Sequence, residues 1–292
     1  MTWTIDDVVE FAWQRHSAYL GEHVSDPIVA SRKFTNVFRV LDRGSQYLLR
    51  LMNVYDEVPD RLAVSYLYRQ VNRPDTMDDI IAANDGYVPS FDEVTSAEWI
   101  RDVVWPVIDA RPGSFLNGAY IILIMTNDKR NLKDKMADIF PGARPHLERV
   151  SGIADLEGRV KNLQRTPGLG PFLSMQIATD LGYCAGEPDQ ENDFILPGPG
   201  ARKGVGYLGH TPGSSANLGF TRQIIQSFPV DEMPTLPGSN GRPPSWMDVQ
   251  NVFCEFSKYA RFYEKGGEPG PRYARGPRFK THIPKQFVLK KV

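Results

Sequence analysis

The sequence predicts an all-α protein, on three observations. Apolar residues recur at three- and four-residue spacing through most of the first two-thirds, strict alternation is scarce, and capping residues precede several of these stretches. With 292 residues, 41% apolar and 24% charged, the chain can bury a core that needs neither metal nor disulfide. Taking the elements in order, Thr4 caps a helix through Ala18, with Asp7 placed to answer it. Phe34, Val37, Phe38, Leu41 and Leu48 predict a helix from about Lys33 to Met52. Pro59 opens a third, carrying Leu62, Val64, Leu67 and Val71. Further helices are expected near Asp75–Ala83, Ser96–Asp109, Phe115–Thr126 and Pro145–Gln164. Residues 186–244 are rich in glycine and proline and read as a long region without clear structure of its own. Ser245 then caps a last helix to about Tyr263, lined by Val249, Val252, Phe253 and Phe256.

Composition narrows the function classes. Cys184 and Cys254 are too few for an iron–sulfur cluster and fit a reducing compartment, and no Cys/His spacing resembles a zinc site. The apolar run Ala119–Met125 is too short to span a bilayer, and the first residues lack the basic and apolar regions of a signal peptide, so a cytoplasmic protein without membrane partners is expected. Net charge is −1, but from Glu255 onward ten cations face three anions. Arg272, Arg275, Arg278 and Lys280 lie there among Tyr259, Phe262, Tyr263, Tyr273, Phe279 and Phe287. Cations interleaved with aromatics suit phosphate contacts and base stacking; a solvated tail that aids solubility is the alternative.

The most specific motif is Arg165-Thr-Pro-Gly-Leu-Gly-Pro-Phe-Leu173, where Leu173, Ile177 and Leu181 recur at helical spacing. Gly168 and Gly170 permit a tight turn whose amides stay free at a helix N-terminus, a cradle for a DNA phosphate; an ordinary turn between helices is the other reading. Asp193 lies twenty-three residues beyond Gly170. Lys33-Phe-Thr-Asn-Val-Phe-Arg-Val-Leu-Asp-Arg brings Asn36, Arg39 and Arg43 near one helical face with Asp42 alongside. Such polar groups on a Phe/Leu-lined helix either form an Arg–Asp network that locks it or meet the edge of an everted base. Pro197-Gly-Pro-Gly-Ala-Arg-Lys-Gly offers amides from Gly198, Gly200 and Ala201 with Arg202 and Lys203, a nest for phosphate; it lacks the Gly-Lys-Ser/Thr ending of a P-loop. Glu255 and Lys258, three apart on the last helix, form a surface ion pair or face a pocket. His16, His23, His146, His210 and His282 are scattered and take no role.

The paired-glycine hairpin with an aspartate downstream resembles the helix-hairpin-helix DNA glycosylases. The order of the Lys33–Tyr47, Pro197–Gly204 and Asp248–Tyr259 segments resembles the alpha-glutamyl/putrescinyl thymine pyrophosphorylases, also described as amino acid:DNA transferases, and the helical domain of 5-hydroxymethyluracil DNA kinases. The resemblance implies a two-lobed helical domain over residues 1–265, with the hairpin at 165–180 and the Gly/Pro-rich region at 186–244, then a basic tail over 266–292. It implies a phage-type enzyme, in the host cytoplasm if phage-encoded, acting on double-stranded DNA. A flipped 5-phospho- or 5-pyrophospho-oxymethyluracil would exchange its leaving group for an amine or amino acid, with a 5-hydroxymethyluracil DNA kinase as a further partner. In that reading Asp193, Glu255 and Lys258 carry the chemistry, Gly168 and Gly170 hold DNA backbone, no cofactor is required, and the hairpin has a place for a monovalent cation. Pro171, Phe172 and Leu173 stand where bifunctional glycosylases carry a lysine, so strand cleavage is not expected. Excision of a modified pyrimidine by a monofunctional glycosylase, and a non-catalytic module that binds DNA or a kinase, remain the alternatives.

Overall fold

The computed structural model describes residues 2–117, 129–208, 215–266 and 280–290. Among these, fourteen α-helical stretches occur and no strand. They are α1 (Ile5–Leu20), α2 (Pro27–Ser31), α3 (Arg43–Met52), α4 (Val58–Val71), α5 (Pro74–Ala83), α6 (Phe91–Val94) and α7 (Ala97–Trp99). There follow α8 (Trp105–Ala110), α9 (Leu132–Ser151), α10 (Leu156–Leu163), α11 (Pro171–Leu181), α12 (Pro199–Gly206), α13 (Leu218–Gln226) and α14 (Trp246–Glu264). No helix among the described residues is long and apolar enough to cross a membrane. The chain divides into two compact units, one of residues 1–42 with 191–292, the other of residues 43–190.

In the second unit α4 is the central element. It packs against α3, α6, α9 and α11, and every residue from Arg61 to Val71 is buried. A helix buried all round must satisfy its polar side chains inside the protein. Arg69 does so through a two-pronged bond to Asp180 of α11, Nε to Oδ2 at 2.7 Å and Nη2 to Oδ1 at 2.6 Å. The Ser65 hydroxyl adds a third bond to Oδ2 at 3.0 Å, so α11 is fixed on α4 by a fully engaged carboxylate. Tyr66 and Gln70, farther along α4, hold the turn that precedes α11: they donate to the carbonyls of Pro167 (2.8 Å) and Gly168 (3.4 Å).

In the first unit α14 is the counterpart. Its N-terminus carries the cap expected from Ser245, completed into a capping box by Asp248. The Thr4 box closed by Asp7 starts α1 in the same way. Trp3 meets Phe256, Tyr259 and Tyr263 edge-on, at centroid distances of 5.3, 5.8 and 5.3 Å, and Phe11 lies 5.6 Å from Phe256. The pairing of α12 with α14 depends on two glycines. A Cβ on Gly204 would stand 2.0 Å from the Phe253 carbonyl oxygen, and one on Gly200 2.3 Å from the Cys254 sulfur.

Four expectations from sequence are corrected. The helix expected over 33–52 is broken: a 3₁₀ turn at Arg39–Leu41 and an extended Asp42 precede α3. The Asn36 amide side chain donates to the Leu41 carbonyl and its backbone N–H to Asp42 Oδ1, both at 2.8 Å, so short polar side chains close a local turn in place of the helical ladder. The region 186–244 is not without structure, since it holds α12 and α13. Its glycines serve close helix packing there. The helix expected over Pro145–Gln164 begins earlier, runs through Pro141 and Pro145, stops at Gly152 and restarts as α10 behind an Asp155 cap. Residues 115–117 are not helical, and the rest of the expected Phe115–Thr126 helix lies outside the described residues. The stretch near Ser96–Asp109 is helical but passes through a π-helical turn at Ile100–Val104.

Candidate functional site

In the first unit, the broken segment 35–42 is laced to α14 and α1 by polar bonds. Asp248, Asn251 and Glu255 stand three and four residues apart, hence on one face of α14. Asp248 Oδ1 accepts the Arg39 backbone N–H at 2.8 Å, the Asn251 amide donates to the Asn36 carbonyl at 2.7 Å, and Glu255 Oε2 accepts the Thr35 N–H at 3.2 Å. From α1, the Arg15 guanidinium donates to the Thr35 carbonyl.

This lacing gathers charge. Arg15 is 3% exposed and Glu255 2%. Burial drives the Arg15 pKa down, opposed by the charges of Glu255, Asp42 and Cys254. Its Nε and Nη1 are buried without a hydrogen-bond acceptor, a costly arrangement unless a negative group serves them. Asp42 keeps part of its surface open. Its carboxyl is nonetheless pushed up to about 7: burial raises it and Glu255 adds to the rise, against the Asn36 N–H, Arg15 and Arg39. Lys258 is half-exposed and pairs with Glu255 from one turn along. Burial, with the Glu255 charge, also raises the Cys254 thiol. The group therefore holds a carboxylic acid poised near neutrality beside a buried guanidinium, an arrangement suited to proton transfer.

Of the residues singled out from sequence, Asn36, Asp42, Glu255 and Lys258 come together here. Arg39 is buried, with its backbone N–H on Asp248, and Arg43 is the exposed first residue of α3. Asp193 is exposed, and no hydrogen bond or ion pair joins it to this group among the described residues. The expected Pro197–Gly204 loop is corrected to the start of α12: the Gly198 amide donates to Gln250 Oε1 at 3.0 Å and is not free, while Arg202 Nε is spent on the Ala216 carbonyl at 2.9 Å. Gly200 and Ala201 lie within the helix, and Lys203 is exposed. In the second unit Gly168 takes a left-handed conformation (φ +77°) and exposed Gly170 precedes α11 without a side-chain cap, but the Leu169 amide between them, expected to be free, donates to the Thr166 carbonyl at 3.1 Å. Arg272, Arg275 and Arg278 lie outside the described residues, and Lys280 is exposed. Phe287, counted among the stacking aromatics, is instead buried, with the Arg242 guanidinium 4.1 Å from its ring centre.

Sequence reading missed Arg15 and Asn251. The signal for Arg15 was present: it follows Val8, Phe11 and Ala12 on the buried stripe of α1, where an arginine must find a partner. Arg242 shows the alternative fate of such a residue, since its partners are Glu191 (2.8 Å) and Asp248 (3.6 Å).

Fold and site together define an all-helical domain that carries an acid–guanidinium group between its first and last helices. The chain belongs to the family described as the helical domain of 5-hmdU DNA kinase, which matches residues 3–267. It is similar to the 5-hmdU DNA kinase of Bacillus phage SP10, at 24% identity over 290 aligned residues. That alignment covers 88% of this chain and 43% of the phage protein, so the chain spans less than half the length of that relative. No solved structure matches it. Of the resemblances read from sequence, the match shows the one to the kinase helical domain.

Proposed function

We propose that the chain acts on 5-hydroxymethyluracil-type bases in phage DNA, and that it replaces a phosphate or pyrophosphate on the 5-oxymethyl group with an amine. The amine nitrogen attacks the exocyclic methylene carbon; the C–N bond forms, the C–O bond breaks, and phosphate leaves with the bonding pair. The ammonium proton then passes to a carboxylate. The observation that carries this reading is the Asp42 carboxyl at about 7 beside buried Arg15 and Glu255, since a base must titrate near the working pH to take a proton and release it again. Asn36, half-exposed beside Asp42, would read the base edge, and Lys258 and Lys203 would draw the departing phosphate. The turn at Gly168–Gly170, open to solvent at Gly170, would take DNA backbone, with or without a monovalent cation, and Asp193 would serve as a second acid on the solvent side.

DNA carrying phosphorylated 5-hydroxymethyluracil, incubated with the protein and a panel of amines, should yield a heavier nucleoside by mass spectrometry. Asp42→Asn should lower its yield at least tenfold. No new nucleoside with any amine would sink the proposal. One observation favours a second reading: the phage kinase is more than twice as long as the stretch aligned with this chain. A helical module serving a separate kinase would bind modified DNA, enhance phosphorylation in a mixture with that kinase, and lose neither with Asp42→Asn.

A further inference from the structure

A row of cations leaves the site just described along the last turns of α14. Lys258, Arg261 and Lys265 stand at three- and four-residue spacing, hence on one face over about 10 Å, and all three are exposed. Exposed Arg32 and Lys33 join them from the segment that runs antiparallel to this helix. Contacts fix its register: the Arg32 guanidinium lies 3.4 Å from the Phe262 ring centre, the Thr35 N–H meets Glu255 at 3.2 Å, and the Arg39 N–H meets Asp248 at 2.8 Å. Lys33, between the first two contacts, falls at the level of Lys258. Arg32, Lys33, Arg261 and Lys265 have no ion-pair partner among the described residues. The neighbouring carboxylates are engaged: Glu255 is buried with Lys258 and Thr35, Asp26 accepts from the Val29 N–H and the Tyr259 hydroxyl, and Glu264 faces the Tyr207 hydroxyl.

The helix dipole accounts for cations in the last turn of α14; it does not account for Arg32 and Lys33, which another part of the chain brings to the same face. A face kept soluble by charge interleaves both signs, whereas from Lys258 to Lys265 the helix offers a single carboxylate, Glu264. The partner that fits is a polyanion of regular spacing. One strand of DNA carries a phosphate per about 3.4 Å of axis, so a row of about 10 Å meets about three of them. Arg32, held flat against a ring and free of any carboxylate, is pre-organised to bridge two phosphate oxygens. The row also has a direction, since it ends at Lys258, whose partner Glu255 belongs to the group that contains Asp42. We infer that this strip binds the sugar–phosphate backbone of DNA beside the target base. The choice of DNA over another polyanion rests on the function proposed above; the strip itself is separate from the Gly168–Gly170 turn.

Fluorescence anisotropy of a labelled, unmodified duplex titrated with the full chain at rising salt tests the inference, with polyglutamate as the competing polyanion. Arg261→Gln with Lys265→Gln should weaken binding about fivefold or more and lower the slope of log affinity against log salt by about 2. Arg32→Gln with Lys33→Gln should do the same, with helical circular dichroism intact in both. Arg101→Gln with Arg149→Gln, which neutralises two exposed cations of the second unit, should leave affinity and slope unchanged. If a double variant does not fold, Lys33→Gln and Lys265→Gln alone should each weaken binding at least twofold. Wild-type affinity in the folded strip variants, equal weakening by the second-unit pair, or polyglutamate binding as tight as DNA would overturn the strip alone. A wild type that binds no DNA would overturn strip and reaction together. Strip-dependent binding without any new nucleoside would count against the reaction and leave the strip standing.

Discussion

Two buried arginines illustrate opposite uses of the same chemistry. Arg69, in the second unit, gives its guanidinium to Asp180 in a two-pronged bond reinforced by Ser65. Arg15, in the first unit, is just as buried, yet its Nε and Nη1 have no acceptor and its acidic neighbours are Asp42 and Glu255. A completed pair locks two helices together. A guanidinium left incomplete, beside an acid displaced toward neutrality, is costly for folding and useful for chemistry.

Arg69→Met should break the first arrangement most severely. It removes both guanidinium bonds, and the compensating charge, from the buried Asp180 carboxylate while the Ser65 bond stays, so a loss of about 3–5 kcal/mol is expected by chemical denaturation. Arg15→Met should cost only about 1–2 kcal/mol, because it removes two unserved nitrogens along with its bond to the Thr35 carbonyl. It should also raise the Asp42 midpoint above 7, since a neighbouring cation is lost. A similar cost for the two variants would abolish the contrast.

Asp42→Asn sharpens the comparison through pH. The folded carboxyl is raised from 3.8 to about 7, so the native state holds the proton more tightly than the unfolded chain does. Between those values stability falls as pH rises, because ionising the folded carboxyl costs free energy. Relative to wild type, the asparagine variant should gain nothing from this source below about pH 4 and about 1–2 kcal/mol above pH 7, a figure discounted for the partly open surface of Asp42. Thermal unfolding across this range would show it. The smallest effect belongs to Lys258→Ala: an ion pair with a half-exposed partner should cost less than about 1 kcal/mol in a denaturant titration, and a larger loss would mean that Lys258 is the main counter-charge of Glu255.

The helical class was legible because capping boxes and apolar spacing are local. Thr4, Asp7 and Ser245 stand in their expected roles. The break near Asn36 was not legible, because Phe34, Val37, Phe38 and Leu41 keep a helical period while Asn36 and Asp42 close a turn that propensity does not weigh. Glycines misled for a related reason. Gly200 and Gly204 read as a phosphate loop, yet they are small so that α12 can approach the backbone of α14, a tertiary demand with no local signature. Asp42, Asn36, Glu255 and Lys258 were found as unusual polar residues on apolar segments. Arg15 was passed over because the periodicity of α1 already explained its neighbours.

The most direct test is an NMR titration of the Asp42 side-chain carboxyl carbon, assigned by comparison with Asp42→Asn. The site described here predicts a midpoint near 7 in the wild type, displaced upward in Arg15→Met. A midpoint near 4 in both proteins would contradict it, leaving an ordinary surface aspartate beside an arginine that only fills space.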